Sequence, residues 1–161
     1  VNSAGGTPVV SKTGHAFFKE RMREEGAIYG GEMSAHHYFR DFYYCDSGMF
    51  PWLLITALMS RTGSSLAELV DARIRAFPCS GEINFRVADA SAVLAAIERE
   101  YSDGQIDRTD GLSVDYDNWR FNVRASNTEP LLRLNVEAAG NESLMIERTD
   151  ALSALIKSSG A

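Results

Sequence analysis

Three runs of alternating apolar and polar residues follow one another late in the chain: Gly111–Tyr116, Trp119–Arg124 and Leu131–Glu137. Side chains along a strand point to opposite faces in turn, so each run reads as a strand with one buried face. Asp117-Asn118 suits a tight hairpin turn between the first two. Glu82–Val87 alternates in the same way. Asp89 stands at a helix N-cap position, and Val93, Leu94, Ile97 and Tyr101 recur at helical spacing behind it. Gly140 breaks the chain before a last helix, Glu142–Lys157. The order β-α-β-β-β-α predicts an antiparallel sheet with two helices on one face.

The first half has a different rhythm. Pro8–Val10 reads as a short buried strand, and Ala16–Glu25 as a charged amphipathic helix capped by Thr13, with Phe18 and Met22 inward. Gly26 ends that helix, and Ala27–Tyr29 forms a second strand. Strand, helix, strand predicts parallel pairing in part of an α/β domain with a mixed sheet. His36–Tyr44 holds another short strand, and Ser47 caps a helix running to Ser60. Ser65-Leu66-Ala67-Glu68 is a capping box, with Leu66, Leu69, Val70, Ile74 and Phe77 marking one face of the helix behind it. The aromatic run Tyr38, Phe39, Phe42, Tyr43 and Tyr44 reads as packing and loop anchoring, and Trp52 and Trp119 as core. Charge marks a boundary: residues 1–78 carry 8 basic and 8 acidic side chains, and residues 79–161 carry 8 and 14. Two domains, 1–78 and 79–161, are expected.

The net charge of -6 weighs against nucleic acid and anionic membranes as partners. The longest apolar run, Met49–Met59, contains Pro51 and is too short to span a bilayer. Cys45 and Cys79 fit no CxxC pattern and read as free thiols of a reducing cytoplasm. Val1–Gly6 lacks the basic and apolar character of a secretory leader, and the start without Met reads as an excised piece.

Two loops carry more chemistry than packing requires. Gly30-Gly31-Glu32-Met33-Ser34-Ala35-His36-His37-Tyr38 follows a strand end, where ligand crevices form in α/β units. Glu32 accepts hydrogen bonds and Ser34 both donates and accepts, a pairing suited to adjacent sugar hydroxyls. A polar loop with a capping serine fits the same residues. Arg124-Ala125-Ser126-Asn127-Thr128-Glu129-Pro130 joins two strands. Its guanidinium fork, hydroxyls and turn amides suit a phosphate; a polar hairpin turn fits them equally. His36, His37, Asp41 and Asp46 can be drawn as a metal site, but adjacent histidines on an extended chain point apart.

Ser11-Lys12-Thr13-Gly14-His15, Gly31-Glu32-Met33-Ser34-Ala35-His36 and Arg124–Pro130 occur in that order. Together they resemble the third and fourth domains of the α-D-phosphohexomutases, and the resemblance covers nearly the whole chain. The Glu-Met-Ser loop and the run Ile28–Gly48 resemble bacterial phosphomannomutases feeding GDP-mannose synthesis. The resemblance implies an α/β partial domain followed by an α+β TATA-binding-protein-like domain. It implies that His15, Glu32 and Ser34 contact the sugar. Arg124, Ser126, Asn127 and Thr128 would hold the phosphate that is not reacting. The implied reaction interconverts mannose 6-phosphate and mannose 1-phosphate through a phosphoserine and a hexose 1,6-bisphosphate, with Mg2+ as cofactor. The family's phosphoserine loop and its Asp-Gly-Asp magnesium loop do not occur here. The phosphoryl donor, the metal ligands and the general base are therefore expected on preceding domains of the same protein, with no catalytic residue here. A hinge near Phe77-Pro78 would let the last domain close on bound phosphate. A dual phosphomannomutase/phosphoglucomutase and a non-catalytic sugar-phosphate-binding module remain open alternatives.

Overall fold

The computed structural model describes residues 1–126 and 130–160. The chain divides into two units, Val1–Leu66 and Ala67–Ala161.

In the first unit a 3-10 turn at Asn2–Ala4 precedes helix α1 (His15–Glu25), which ends at Gly26. Strands β1 (Tyr29–Gly31), β2 (His37–Phe39) and β3 (Cys45–Asp46) follow, and then helix α2 (Met49–Thr62). The sheet runs β1-β2-β3 and is antiparallel throughout, with Gly31 opposite His37 and Tyr38 opposite Asp46. The short link Glu32–His36 dictates this, because parallel neighbours need a crossover of a dozen or more residues. Tyr38 is wholly buried, stacked on Phe18 of α1.

Several expectations for this half change: the pairing is antiparallel rather than parallel, and Gly14 rather than Thr13 stands at the N-cap of α1. Pro8–Val10 form no strand, and Val9 and Val10 are exposed. A strand needs a neighbour for its N–H and C=O groups, and among the described residues none pairs there. Trp52 is not core: it is 59% exposed on α2. Helix α3 (Leu66–Ala76) forms as expected, but its apolar positions Leu66, Val70 and Ile74 are exposed.

The second unit contains β4 (Ile83–Arg86), α4 (Ala90–Glu100), β5 (Gln105–Asp107), β6 (Leu112–Asp115), β7 (Trp119–Ala125), β8 (Leu131–Ala138) and α5 (Glu142–Ser159). Its five strands lie in the order β4-β8-β7-β6-β5, all antiparallel. β5 went unread in the sequence because three residues are too few to establish alternation. The helices start where side chains cap them: Asp89 accepts from the Ala92 amide at 3.0 Å and Asn141 from the Leu144 amide at 3.0 Å.

The alternation decides which face is core. Trp119, Phe121 and Val123 of β7 and Leu132, Leu134 and Val136 of β8 are buried with Val93 and Ile97 of α4 and Leu152 and Ile156 of α5. Arg120, Asn122 and Arg124, and Arg133, Asn135 and Glu137, face the other way. No helix among the described residues is long and apolar enough to cross a membrane. Both cysteines are free.

Truncating Phe121, central and fully buried, should cost about 3–5 kcal/mol of unfolding free energy. Trp52→Ala should shift it by no more than about 1 kcal/mol, since that ring buries little. Denaturant titration of both variants checks the contrast.

Candidate functional site

The first loop is built around one carboxylate. Glu32 follows β1, and its amide donates to the His36 carbonyl at 2.9 Å, closing a tight turn over Met33-Ser34-Ala35. Ala35 takes a left-handed conformation, φ 62°, to complete it. The Glu32 carboxylate accepts from two directions: from the Gly14 amide to Oε2 at 2.9 Å, and from the Tyr38 hydroxyl to Oε1 at 2.5 Å. Gly14 sits just before α1 with φ 125°, a conformation that side chains with Cβ rarely adopt. Burial first, then the Glu32 hydrogen bond and charge, drive the Tyr38 phenol far above its ordinary value, so it remains a donor. A carboxylate offers about four acceptor positions. Glu32 is therefore oriented by protein donors and keeps lone pairs for a ligand.

Beside it lies a second polar group. His36 Nδ1 and Asp46 Oδ2 are 2.7 Å apart, and the His37 amide donates to Asp46 Oδ1 at 2.9 Å. These contacts hold the Asp46 carboxyl below its ordinary value, the backbone hydrogen bond contributing most and the His36 bond next. An ionised carboxylate only accepts, so His36 donates through Nδ1. The His15 ring packs edge-on to His36, centroids 4.5 Å apart, and to Tyr38 at 5.4 Å. His37 points elsewhere, 2.7 Å from the Tyr29 hydroxyl through Nδ1, and Asp41 contacts Arg40 at 3.0 Å. The adjacent histidines thus diverge.

The structure brings together three of the sequence-predicted positions, with His15 and Glu32 around Tyr38 and Ser34 exposed in the turn that Glu32 closes. It adds the His36–Asp46 dyad. The sequence held a signal for this pair, a histidine two residues after Ser34 and an aspartate opposite Tyr38 in the next strand, but only sheet register joins them.

His15, His36 and Asp46 offer ligand atoms within 4.8 Å of one another. Two imidazoles and one carboxylate suit a softer ion, whereas Mg2+ prefers all-oxygen octahedral sites. Both Asp46 oxygens are already engaged. The trio is better matched to moving a proton than to holding magnesium.

In the second unit Arg124 lies near the end of β7, before the other loop. The Ser126 amide donates to the Leu131 carbonyl at 2.8 Å and closes that loop's base. Asn127 and Thr128 lie outside the described residues. The Arg124 side chain is 27% exposed and has carboxylates on two sides: Glu82 Oε2 at 3.5 Å and Asp110 Oδ2 at 3.7 Å. Both are longer than the ~2.7–2.9 Å of a charge-assisted hydrogen bond. The guanidinium is thus only loosely ion-paired to these two and part-exposed. Gly111, φ 78°, follows Asp110, and a Cβ there would come within 2.6 Å of the Val123 carbonyl and 2.7 Å of Arg124 Cβ. The backbone under Arg124 depends on that missing side chain.

Asp46 has a lowered folded-state value, so its contribution to stability is present above the ordinary carboxyl value of 3.8 and is lost as pH falls through the lowered one. The stability gap between the native chain and Asp46→Asn should be open at neutral pH and close in that acid window. Urea unfolding at several pH values checks this.

Residues 1–77 match the family described as phosphoglucomutase/phosphomannomutase, alpha/beta/alpha domain III, and residues 82–152 match its C-terminal domain. Similar proteins include the phosphohexose mutases of Xanthomonas campestris pv. campestris, 60% identical over 98% of this chain and 36% of theirs. The phosphomannomutase of Salmonella typhimurium is 61% identical over 97% of this chain and 35% of its own. A phosphoglucomutase/phosphomannomutase family protein from Burkholderia thailandensis superposes with a TM-score of 0.75 at 26% identity, over 98% of this chain and 34% of its own. The chain thus spans only 35–36% of the length of these curated relatives. Its two matched domains, its fold and its level of identity place it in the phosphoglucomutase/phosphomannomutase family, within the phosphohexomutase superfamily.

Proposed function

We propose that the chain is the substrate-holding part of a phosphomannomutase that interconverts mannose 6-phosphate and mannose 1-phosphate. The carrying observation is the Glu32 carboxylate, held by Gly14 and Tyr38 beside His15 and the His36–Asp46 dyad. Relatives named phosphomannomutase, at 57–61% identity, support the choice of substrate. In this reading Glu32, Ser34 and His15 hold sugar hydroxyls, and the loop from Arg124 through Ser126, Asn127 and Thr128 holds the phosphate that is not reacting. The phosphoserine, the Mg2+ and their ligands belong to other domains of the same protein, and a hexose 1,6-bisphosphate is the intermediate. The reading places the protein in the cytoplasm, supplying sugar phosphate for GDP-mannose.

Moving a phosphoryl group onto a sugar hydroxyl requires that hydroxyl to lose its proton. His36 Nε2, on a ring braced by Asp46, is suited to take it, in place of the general base expected from the sequence on a preceding domain. Asp46 stabilises the imidazolium that results, and Glu32 fixes the sugar so that its hydroxyl meets the base. In the whole enzyme, His36→Gln should lower kcat by about 10²–10⁴ with KM for mannose 1-phosphate little changed. A normal kcat would remove His36 from the chemistry.

The relative named for phosphohexose mutases favours a second reading, a dual phosphomannomutase/phosphoglucomutase. Steady-state kinetics of the whole enzyme on mannose 1-phosphate and glucose 1-phosphate separate the two. A kcat/KM at least about tenfold higher for mannose supports the narrower reading. No turnover of either leaves a sugar-phosphate-binding module.

A further inference from the structure

His15, His36 and Asp46 come from three separate elements and meet at one point. His15 is the first residue of α1, whose start is fixed by the bond from the Gly14 amide to Glu32. His36 closes the turn before β2, and Asp46 ends β3. The His15 ring packs edge-on to His36 and to the buried Tyr38 ring. The His37 amide holds Asp46 Oδ1, which leaves Oδ2 aimed at His36 Nδ1, 2.7 Å away. One ligand atom from each of the three lies within 4.8 Å of the others. The His36 and Asp46 side chains are 41% and 28% exposed, so an ion can reach them from solvent. Two imidazoles and one carboxylate form the donor set of zinc sites that keep an open position. Ligands of one tetrahedral Zn2+ stand about 3.3 Å apart, so the trio has at most about 1.5 Å to close. The exposed His15 side chain can turn to make up that distance.

We propose that His15, His36 and Asp46 form an inhibitory site for a divalent ion of the zinc class. His36 Nδ1 and Asp46 Oδ2 face each other across a proton, and the ion takes that proton's place. A ring nitrogen of His15 is the third ligand, and water fills the fourth position. The Asp46 Oδ1 bond to the His37 amide stays as an outer brace. The neutral His36 ring stays neutral: Nδ1 gives its proton to solvent, and Nε2 takes one from it. Mg2+ prefers oxygen ligands, so the two nitrogens select against it. Inhibition rests on the reading of His36 as the base, because a protonated Nε2 accepts no proton from a sugar hydroxyl. The metal site itself does not depend on that reading.

The test titrates Zn2+ into the 161-residue chain and follows histidine ring resonances by NMR. The His15 and His36 signals should shift together and saturate at one ion per chain. His37, which contacts Tyr29 instead, should not move. A large excess of Mg2+ should not reverse the shifts. His15→Asn should weaken binding about 100-fold or more, since losing even an outer partner costs ~10–100-fold. Unchanged affinity in that variant would overturn the site and leave the mutase reading intact. Co2+ in place of Zn2+ should give the visible bands of a tetrahedral site. An intense thiolate band would put the ion on Cys45 or Cys79 and also overturn it. In the whole enzyme with Mg2+ saturating, Zn2+ should lower turnover at concentrations that spare His15→Asn, each compared with its own zinc-free rate. Full turnover of the native enzyme with the trio occupied would overturn the inhibitory role, while the site would stand on the NMR result.

Discussion

The carboxylate of Glu32 is the tie on which the first unit's loop depends. One oxygen takes the amide of Gly14 and so holds the start of α1, and the other takes the hydroxyl of Tyr38 on β2. Helix, turn and strand thereby converge on a single carboxylate. Tyr38 is buried and stacked on Phe18, so its hydroxyl can supply this bond only from a fixed ring. His15, the first residue of that helix, is delivered to the same place as a consequence. The carboxylate on which the proposed function rests is thus also the one that assembles the surface around it. Such double use is how a loop achieves the rigidity that positioning demands.

The second unit reaches a comparable result by different means. Its sheet packs one face against α4 and α5, and that core is apolar throughout. The opposite face collects arginines and carboxylates in register, with Arg120 facing Glu137 and Arg124 facing Arg133. The first of these pairs is complementary and the second is not. A fold that sets two arginines side by side needs a negative group between them, and Glu82 is there, just ahead of the strand on the far side of β8. The like-charged pair is thus bridged by a carboxylate from outside both strands.

Much of this was legible in residue order. The alternation of Trp119–Arg124 and Leu131–Glu137 sorted core from solvent face correctly, because strand geometry has a period of two. Asp89 marked its helix start, since a carboxylate placed before a helix caps free amides. Local rules failed where the outcome depended on a distant neighbour. Pro8–Val10 has the composition of a strand, yet composition supplies no pairing partner. Trp52 has the character of a core residue, yet burial requires a surface to bury against, and among the described residues it stays largely exposed.

By itself, the sequence determined the second unit's helices and main strands, the positions of both polar loops, and the residue types in them. These follow from periodicity, capping and turn chemistry, which act over a few residues. Tertiary structure alone decided that Asp46 meets His36 and that Glu82 lies between Arg124 and Arg133. Those encounters join residues 10, 42 and 51 positions apart along the chain. Sheet register and chain reversal bring them within a hydrogen bond or an ion pair of each other, and no local pattern encodes that.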